Sequence, residues 1–243
     1  MFNDLKLNPS KSESLRVGTH HQVKSTVGSV VEIANVTVPF STHVKLLVVT
    51  FDNTLSFNRH TSDICRGAYF HLRALRHIRN KLDTSTANII ACSFVASRLD
   101  YCNAILAGLS KANIARLQMV QNSTARIVSN SGCRASASPI LKNLHWLPVA
   151  QRIDYKIALT VFKVLTTNQP VYIRSLLHIS VPLRNTRSAF NGILLDAPLC
   201  KTETVARAFS NYAPRIWNAL PRFLVAPRGF FPGPLLSIQL IHQ

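Results

Sequence analysis

The sequence predicts an α+β fold that is mainly α: short N-terminal strands, then a helical bundle, then an irregular proline-rich end. Three observations carry this. β-Branched residues crowd the first 57 positions, and apolar residues recur at three- and four-residue steps from about 58 to 130 and again after Pro148. Eight of the 12 prolines then fall beyond Thr167.

Ser14 to Gly18 reads as a short strand ending on glycine, and Val27 to Val38 as a hairpin. Val44 to Phe51 is a nearly continuous apolar run between polar residues, the pattern of one buried strand, with Asn53 in the turn after it. The helical period then begins. Ile64, Ala68, Leu72, Leu75, Ile78 and Leu82 build one apolar face, and Asp83-Thr84-Ser85-Thr86 caps a second helix. Ile90, Phe94, Ser97, Tyr101 and Ile105 continue that helix at the same spacing, with Gly108 as its stop. A third helix from about 111 turns Ile114, Leu117, Val120, Thr124 and Ile127 to the core, and residues 129–138 form a loop. Pro148 opens a fourth helix, apolar on two sides through Ile153, Ile157, Val161 and Val164, and through Tyr155, Leu159 and Phe162. The expected division is a β segment over 1–57, a helical domain over 58–180 and an irregular segment over 181–243.

Charge is the strongest bulk signal, with 28 Lys+Arg against 10 Asp+Glu and a formal net charge of +18. Such a chain attracts polyanions before any specific contact forms, and nucleic acid is the commonest of these. The five cysteines are scattered with no C-x-x-C pair, which argues against a disulfide framework and a cysteine-rich zinc site and favours a reducing, intracellular compartment. Polar residues follow Met1 where a signal peptide is apolar, and the apolar tail from Leu224 to Ile241 is broken by prolines and glycines, so neither secretion nor a membrane span is expected.

Helical residues advance by about 100° each, which sets Arg66, Tyr69, Arg73, Arg76 and His77 within an arc of roughly 100° facing away from the leucines. Guanidinium groups fork onto phosphates and an aromatic ring lies along sugar or base, so this arc is the candidate nucleic-acid contact. The ordinary solvated outside of an amphipathic helix has the same composition. Arg152, Lys156 and Lys163 form a sparser stripe, within roughly 40°, on the fourth helix.

Catalysis has no visible seat. Two-metal phosphoryl transfer needs converging carboxylates. The seven aspartates (4, 52, 63, 83, 100, 154 and 196) are dispersed, with no Asp-Asp pair. Asp52 suits a turn, and Asp100 suits an ion pair with Arg98 or a neighbouring helix. His20, His21, His71, His77 and His145 have no second ligand pair at a metal-binding spacing, Cys102 reads as core, and there is no glycine-rich phosphate loop. No catalytic residue, metal site or cofactor is therefore expected.

Several stretches together resemble the C-terminal part of LINE (non-LTR) retrotransposon reverse transcriptases of the jockey or chicken-repeat type. Leu5 to Glu13 (LKLNPSKSE) resembles the segment after their catalytic Tyr-x-Asp-Asp, and Val44 to His60 (VKLLVVTFDNTLSFNRH) resembles their FD-containing segment. Ser97 to Asn103 (SRLDYCN), Leu117 to Asn122 (LQMVQN), Leu144 to Val149 with Arg152-Ile153, and Tyr212 to Pro221 (YAPRIWNALP) follow in family order. The resemblance spans about residues 3–222. It implies the end of the palm, a primer grip and a thumb that holds a template–primer duplex, with Lys11 matching a lysine that protonates pyrophosphate in related polymerases. It further implies RNA-directed DNA synthesis with magnesium in a full-length parent, but not here, where the catalytic carboxylate motifs are missing. Val48 stands where the family has glycine, and the tail after Pro221 departs from the usual ending. The expectation is a truncated reverse transcriptase fragment that binds RNA/DNA duplex, with no small-molecule substrate and no membrane partner. Competing with it are a basic helical module for nucleic acid or protein with no enzymatic role, and a retrotransposon relic whose unpaired strand edges invite aggregation.

Overall fold

The computed structural model describes residues 8–25, 30–33, 35–180 and 193–221. Among the described residues the chain is mainly helical, with its short strands in the N-terminal part, and it forms two compact units, 1–64 and 65–243. The boundary falls within the first long helix, and residues 193–221 belong to the second unit.

In the first unit a 3₁₀ turn at Pro9–Lys11 leads to β1 (Ser14–Leu15) and a short helix α1 (His20–Ser25). β2 (Val31–Ile33) and β3 (Val36–Val38) pair antiparallel as the expected hairpin, with Asn35 at φ 62°. β1 lies parallel to β4 (Phe40–Ser41). The apolar run from Val44 is not one buried strand. It splits into β5 (His43–Leu46) and β6 (Val49–Asp52), antiparallel in the register Leu46↔Val49. Leu47 and Val48 turn the corner at φ 47° and 70°, and both are exposed. Composition hid this turn because neither residue is a turn former.

A β-branched residue in left-handed backbone is strained, by about 1–2 kcal/mol. Two-residue hairpin loops with both φ positive take Asn-Gly instead. Replacing Leu47-Val48 by Asn-Gly is therefore expected to stabilise the first unit by about 1–2 kcal/mol, read as a higher urea midpoint. An unchanged or lower midpoint would contradict the strain. The glycine that the resemblance implies at position 48 thus has a local backbone reason, independent of any primer.

Val38, Val49 and Phe57 are buried in this unit, with the Phe57 ring edge-on to Phe51 at 5.6 Å. Asp52 closes the turn after β6. Its carboxylate accepts from the Thr54, Ser56 and Phe57 backbone N–H groups at 3.2, 2.8 and 2.7 Å, and from the Thr54 and Ser56 hydroxyls. These bonds outweigh partial burial and hold its pKa below the usual carboxylate value.

α2 (Asn58–Ile78) runs on into the second unit and ends in a 3₁₀ turn over Arg79–Lys81. Asp83 caps α3 (Thr84–Ala91), accepting from the Ser85 and Thr86 amides as expected. A π-helical turn, Cys92–Ala96, then leads into α4 (Ser97–Asp100). Ala87, Ala91, Val95 and Leu99, one every four positions, are buried here, with Ala96 beside them. Four residues overshoot a 3.6-residue turn by about 40°, and the wider π turn absorbs that drift. Phe94 and Tyr101, which carry the sequence's helical spacing, are exposed. The helix also stops at Asp100 rather than Gly108, and Cys102, expected in the core, is exposed at φ 51°.

α5 (Lys111–Val128), α6 (Ala137–Asn143) and α7 (Val149–Thr167) follow, then one short turn, α8 (Val171–Arg174). Leu72 and Leu75 of α2 pack with Ala91, Ile127 and Val128, and Leu82, Ile90, Leu144 and Trp146 close around them. Gln121 of α5 is buried and satisfied by donating to the Leu147 carbonyl at 2.8 Å. α7 buries Ile153, Ile157, Val161 and Val164 and half-buries Tyr155, Leu159 and Phe162, the two-sided pattern predicted.

Within the proline-rich end, residues 193–221 form more regular structure than their composition suggests. α9 (Glu203–Ala206) and α10 (Phe209–Ala219) form, the latter around Pro214. Ala213, Pro214 and Trp217 are buried, and Tyr212 donates to Asp154 of α7 at 3.0 Å. Burial of that face offsets the amide that proline lacks. The divergent tail after Pro221 lies outside the described residues. No helix among the described residues is long and apolar enough to cross a membrane.

Candidate nucleic-acid interface

The leucine face of α2 decides what its other side presents. With Ala68, Leu72 and Leu75 buried, Arg66, Tyr69, Arg73, Arg76 and His77 all stand exposed along one side of the helix. All five predicted arc residues are thus brought to one surface. Tyr69, Arg73, Arg76 and His77 have no hydrogen-bond or ion-pair partner among the described residues. A phosphate oxygen would displace only water there.

The stripe on α7 is different. Arg152 is half-buried and paired with Asp100 at the end of α4, the neighbouring-helix partner expected for that aspartate. Its guanidinium joins two helices, so within the predicted stripe it already has a partner in the fold. Burial raises the Asp100 pKa above the ordinary carboxylate value despite the attraction of Arg152. Lys156 and Lys163 remain exposed. Lys11 is exposed at the end of its 3₁₀ turn in the first unit.

Two groups of residues escaped sequence reasoning. The first is aromatic. Phe70 is 67% exposed and Phe94 52% exposed. The His71 ring between them is edge-on to Phe70 at 5.3 Å and stacked on Phe94 at 5.5 Å. Arg98 donates to His71 Nε2 at 2.9 Å, which fixes that nitrogen as the acceptor. Phe70 follows Tyr69 and flanks the arc by the helical count, so its position was legible; Phe94 was hidden by the π turn.

The second is Arg79, which is buried at 7% exposure. Its Nε donates to the Ile127 and Val128 carbonyls at 2.9 and 3.2 Å, Nη1 to Leu82 at 2.7 Å, and Nη2 to Val128 at 2.7 Å and the Thr84 hydroxyl at 3.3 Å. The negative end of α5 is thereby capped by a cation. The signal lay in the spacing, since 68, 72, 75 and 79 follow the buried face at steps of four, three and four.

Acidic side chains do not gather. Among the described residues no three His, Cys, Asp or Glu side chains are placed to hold a metal ion. Asp52 holds a turn, Asp83 caps a helix, Asp100 pairs with Arg152, and Asp154 accepts from Tyr212. Burial raises the Asp154 pKa, and burial together with that carboxylate pushes the Tyr212 pKa to about 12. Comparison with known proteins returns no matching family model, no matching curated protein and no matching solved structure.

Proposed function

We propose that the chain is a non-catalytic duplex-binding module of non-LTR reverse transcriptase descent, with α2 as the surface laid against the nucleic-acid backbone. One observation carries this reading. Four of the five arc side chains are exposed, without partners among the described residues, on a single helix face whose opposite side is pinned in the core. The net charge of +18 supplies the long-range attraction. The family-ordered segments support a thumb-like role for the helices, and the dispersed aspartates support the absence of polymerisation chemistry in this chain.

Affinity for an RNA/DNA hybrid, measured against salt, tests the proposal. The logarithm of the binding constant should fall linearly with the logarithm of salt, by about 0.9 per phosphate neutralised. A slope near zero would sink it. Primer extension with magnesium should give no product above background; robust extension would overturn the non-catalytic part alone.

The exposed Phe70 and Phe94 favour a second reading, in which this surface binds a protein. Binding of that kind has little counterion release, so the same salt series separates the two.

A further inference from the structure

A cleft of about 420 Å³ opens beside the end of α2, where the turn after it meets the last turns of α5. Arg76, Arg79 and Arg126 line it, with Ser123, Asn130 and Ser131. Among the described residues no carboxylate lines it. The nearest acid along the chain, Asp83, is engaged by the Ser85 and Thr86 amides. From these residues we infer a discrete phosphate-binding pocket that shares Arg76 with the arc and adds Arg79 and Arg126, which lie outside it.

The three guanidiniums have different tasks. Arg79 is immobilised by the carbonyls of α5 and Leu82, so it supplies a fixed positive field and few free donors. Arg126 donates through Nε to the Ala135 carbonyl at 2.8 Å, which anchors its stem and leaves the Nη groups without a partner among the described residues. Arg76, likewise without a partner among them, is exposed at the rim. Ser129 Oγ shares a hydrogen bond with Ser131 Oγ at 2.8 Å, which holds one hydroxyl of the wall in place. A buried cation, an anchored fork and an exposed fork around hydroxyl and amide groups form a donor set suited to a tetrahedral oxyanion. The volume exceeds that of a phosphate alone, so the group can belong to free phosphate, to a nucleotide or to the end of a strand. The shared chemistry is the phosphoryl oxygens.

With 28 Lys+Arg in the chain, weak phosphate binding elsewhere is unavoidable, so the test needs a local reporter. Cys133 supplies one, because it is an exposed free thiol on the wall of the same cleft. The full chain would be alkylated with iodoacetamide and Cys133 followed by peptide mass spectrometry, with Cys102 as the internal control. Inorganic phosphate, adenosine 5′-monophosphate, and one oligonucleotide with and without a 5′-phosphate would be titrated at constant ionic strength.

Saturable protection of Cys133 but not Cys102 is expected, with the half-protecting concentration raised about tenfold or more in Arg126→Gln and in Arg76→Gln. Protection that never saturates, affects both thiols alike or persists unchanged in both variants overturns the pocket. Arg76 stands at the rim and holds no element of the fold in place, so its variant stays informative if Arg126→Gln fails to fold. A preference for the 5′-phosphorylated strand over the unphosphorylated one assigns the pocket to strand ends, and equal protection by the two with strong protection by the small anions assigns it to free phosphate. Substituting only Arg66 and Arg73 in the hybrid salt series leaves the lining of the cleft intact and reports on the arc alone, so failure of one assignment leaves the other standing.

Discussion

Replacing Arg79 with alanine is expected to lower the unfolding free energy of the helical unit by about 3–5 kcal/mol, more than any other single substitution proposed for this chain. The side chain contributes almost nothing to the surface. What it does is satisfy the carbonyls of Leu82, Ile127 and Val128 where α2, α3 and α5 meet. Each carbonyl left without a donor in a dry setting costs about 1–3 kcal/mol. Lysine should recover less than half of the loss, because a single ammonium cannot reach both the end of α5 and the start of α3 as a planar fork does. Urea denaturation of the three proteins would settle the matter. A loss below about 1 kcal/mol for alanine, or full rescue by lysine, would show that solvent replaces the guanidinium.

The second large effect concerns binding. Substituting Arg66, Arg73 and Arg76 together with glutamine should reduce the slope of log affinity against log salt by about 2.7, at 0.9 for each phosphate no longer neutralised. Over a fourfold change in salt, that is roughly a fortyfold difference in how far affinity falls. These side chains lie on the exposed face of α2 and away from its leucines, so thermal unfolding should change little. An unaltered slope would return the arc to an ordinary solvated helix surface. A collapsed melting temperature would show that the arginines serve the fold. Fluorescence anisotropy with a labelled hybrid, at four or five salt concentrations, measures the slope on one preparation.

The sequence made the regular parts of this molecule legible where packing follows a single period. The core side of α2 and of α7, the cap at Asp83 and the turn at Asp52 are each written by local spacing or by one residue's hydrogen-bonding habit. Legibility failed where a local rule was overridden. Leu47 and Val48 carry no turn signature, so the hairpin between β5 and β6 looked like one strand. The π turn at Cys92–Ala96 rotates everything after it, and no residue type announces such a turn. Pro214 normally argues against a helix, but the buried Trp217 face outweighs it. At the candidate interface the arc followed from angular arithmetic alone, whereas the Arg152–Asp100 pair needed two segments far apart in sequence to meet. The cleft beside Arg76 is likewise visible only in three dimensions.

The way the end of α5 is closed also affects the salt experiments. A guanidinium balanced by main-chain dipoles pairs with no acid among the described residues, and at 7% exposure it is largely out of reach of dissolved ions. Concentrations that strip a polyanion from the outside of α2 should therefore leave this internal clasp closed. Weakened binding at the high-salt end of a titration then reports on the surface, because the scaffold beneath it is still assembled.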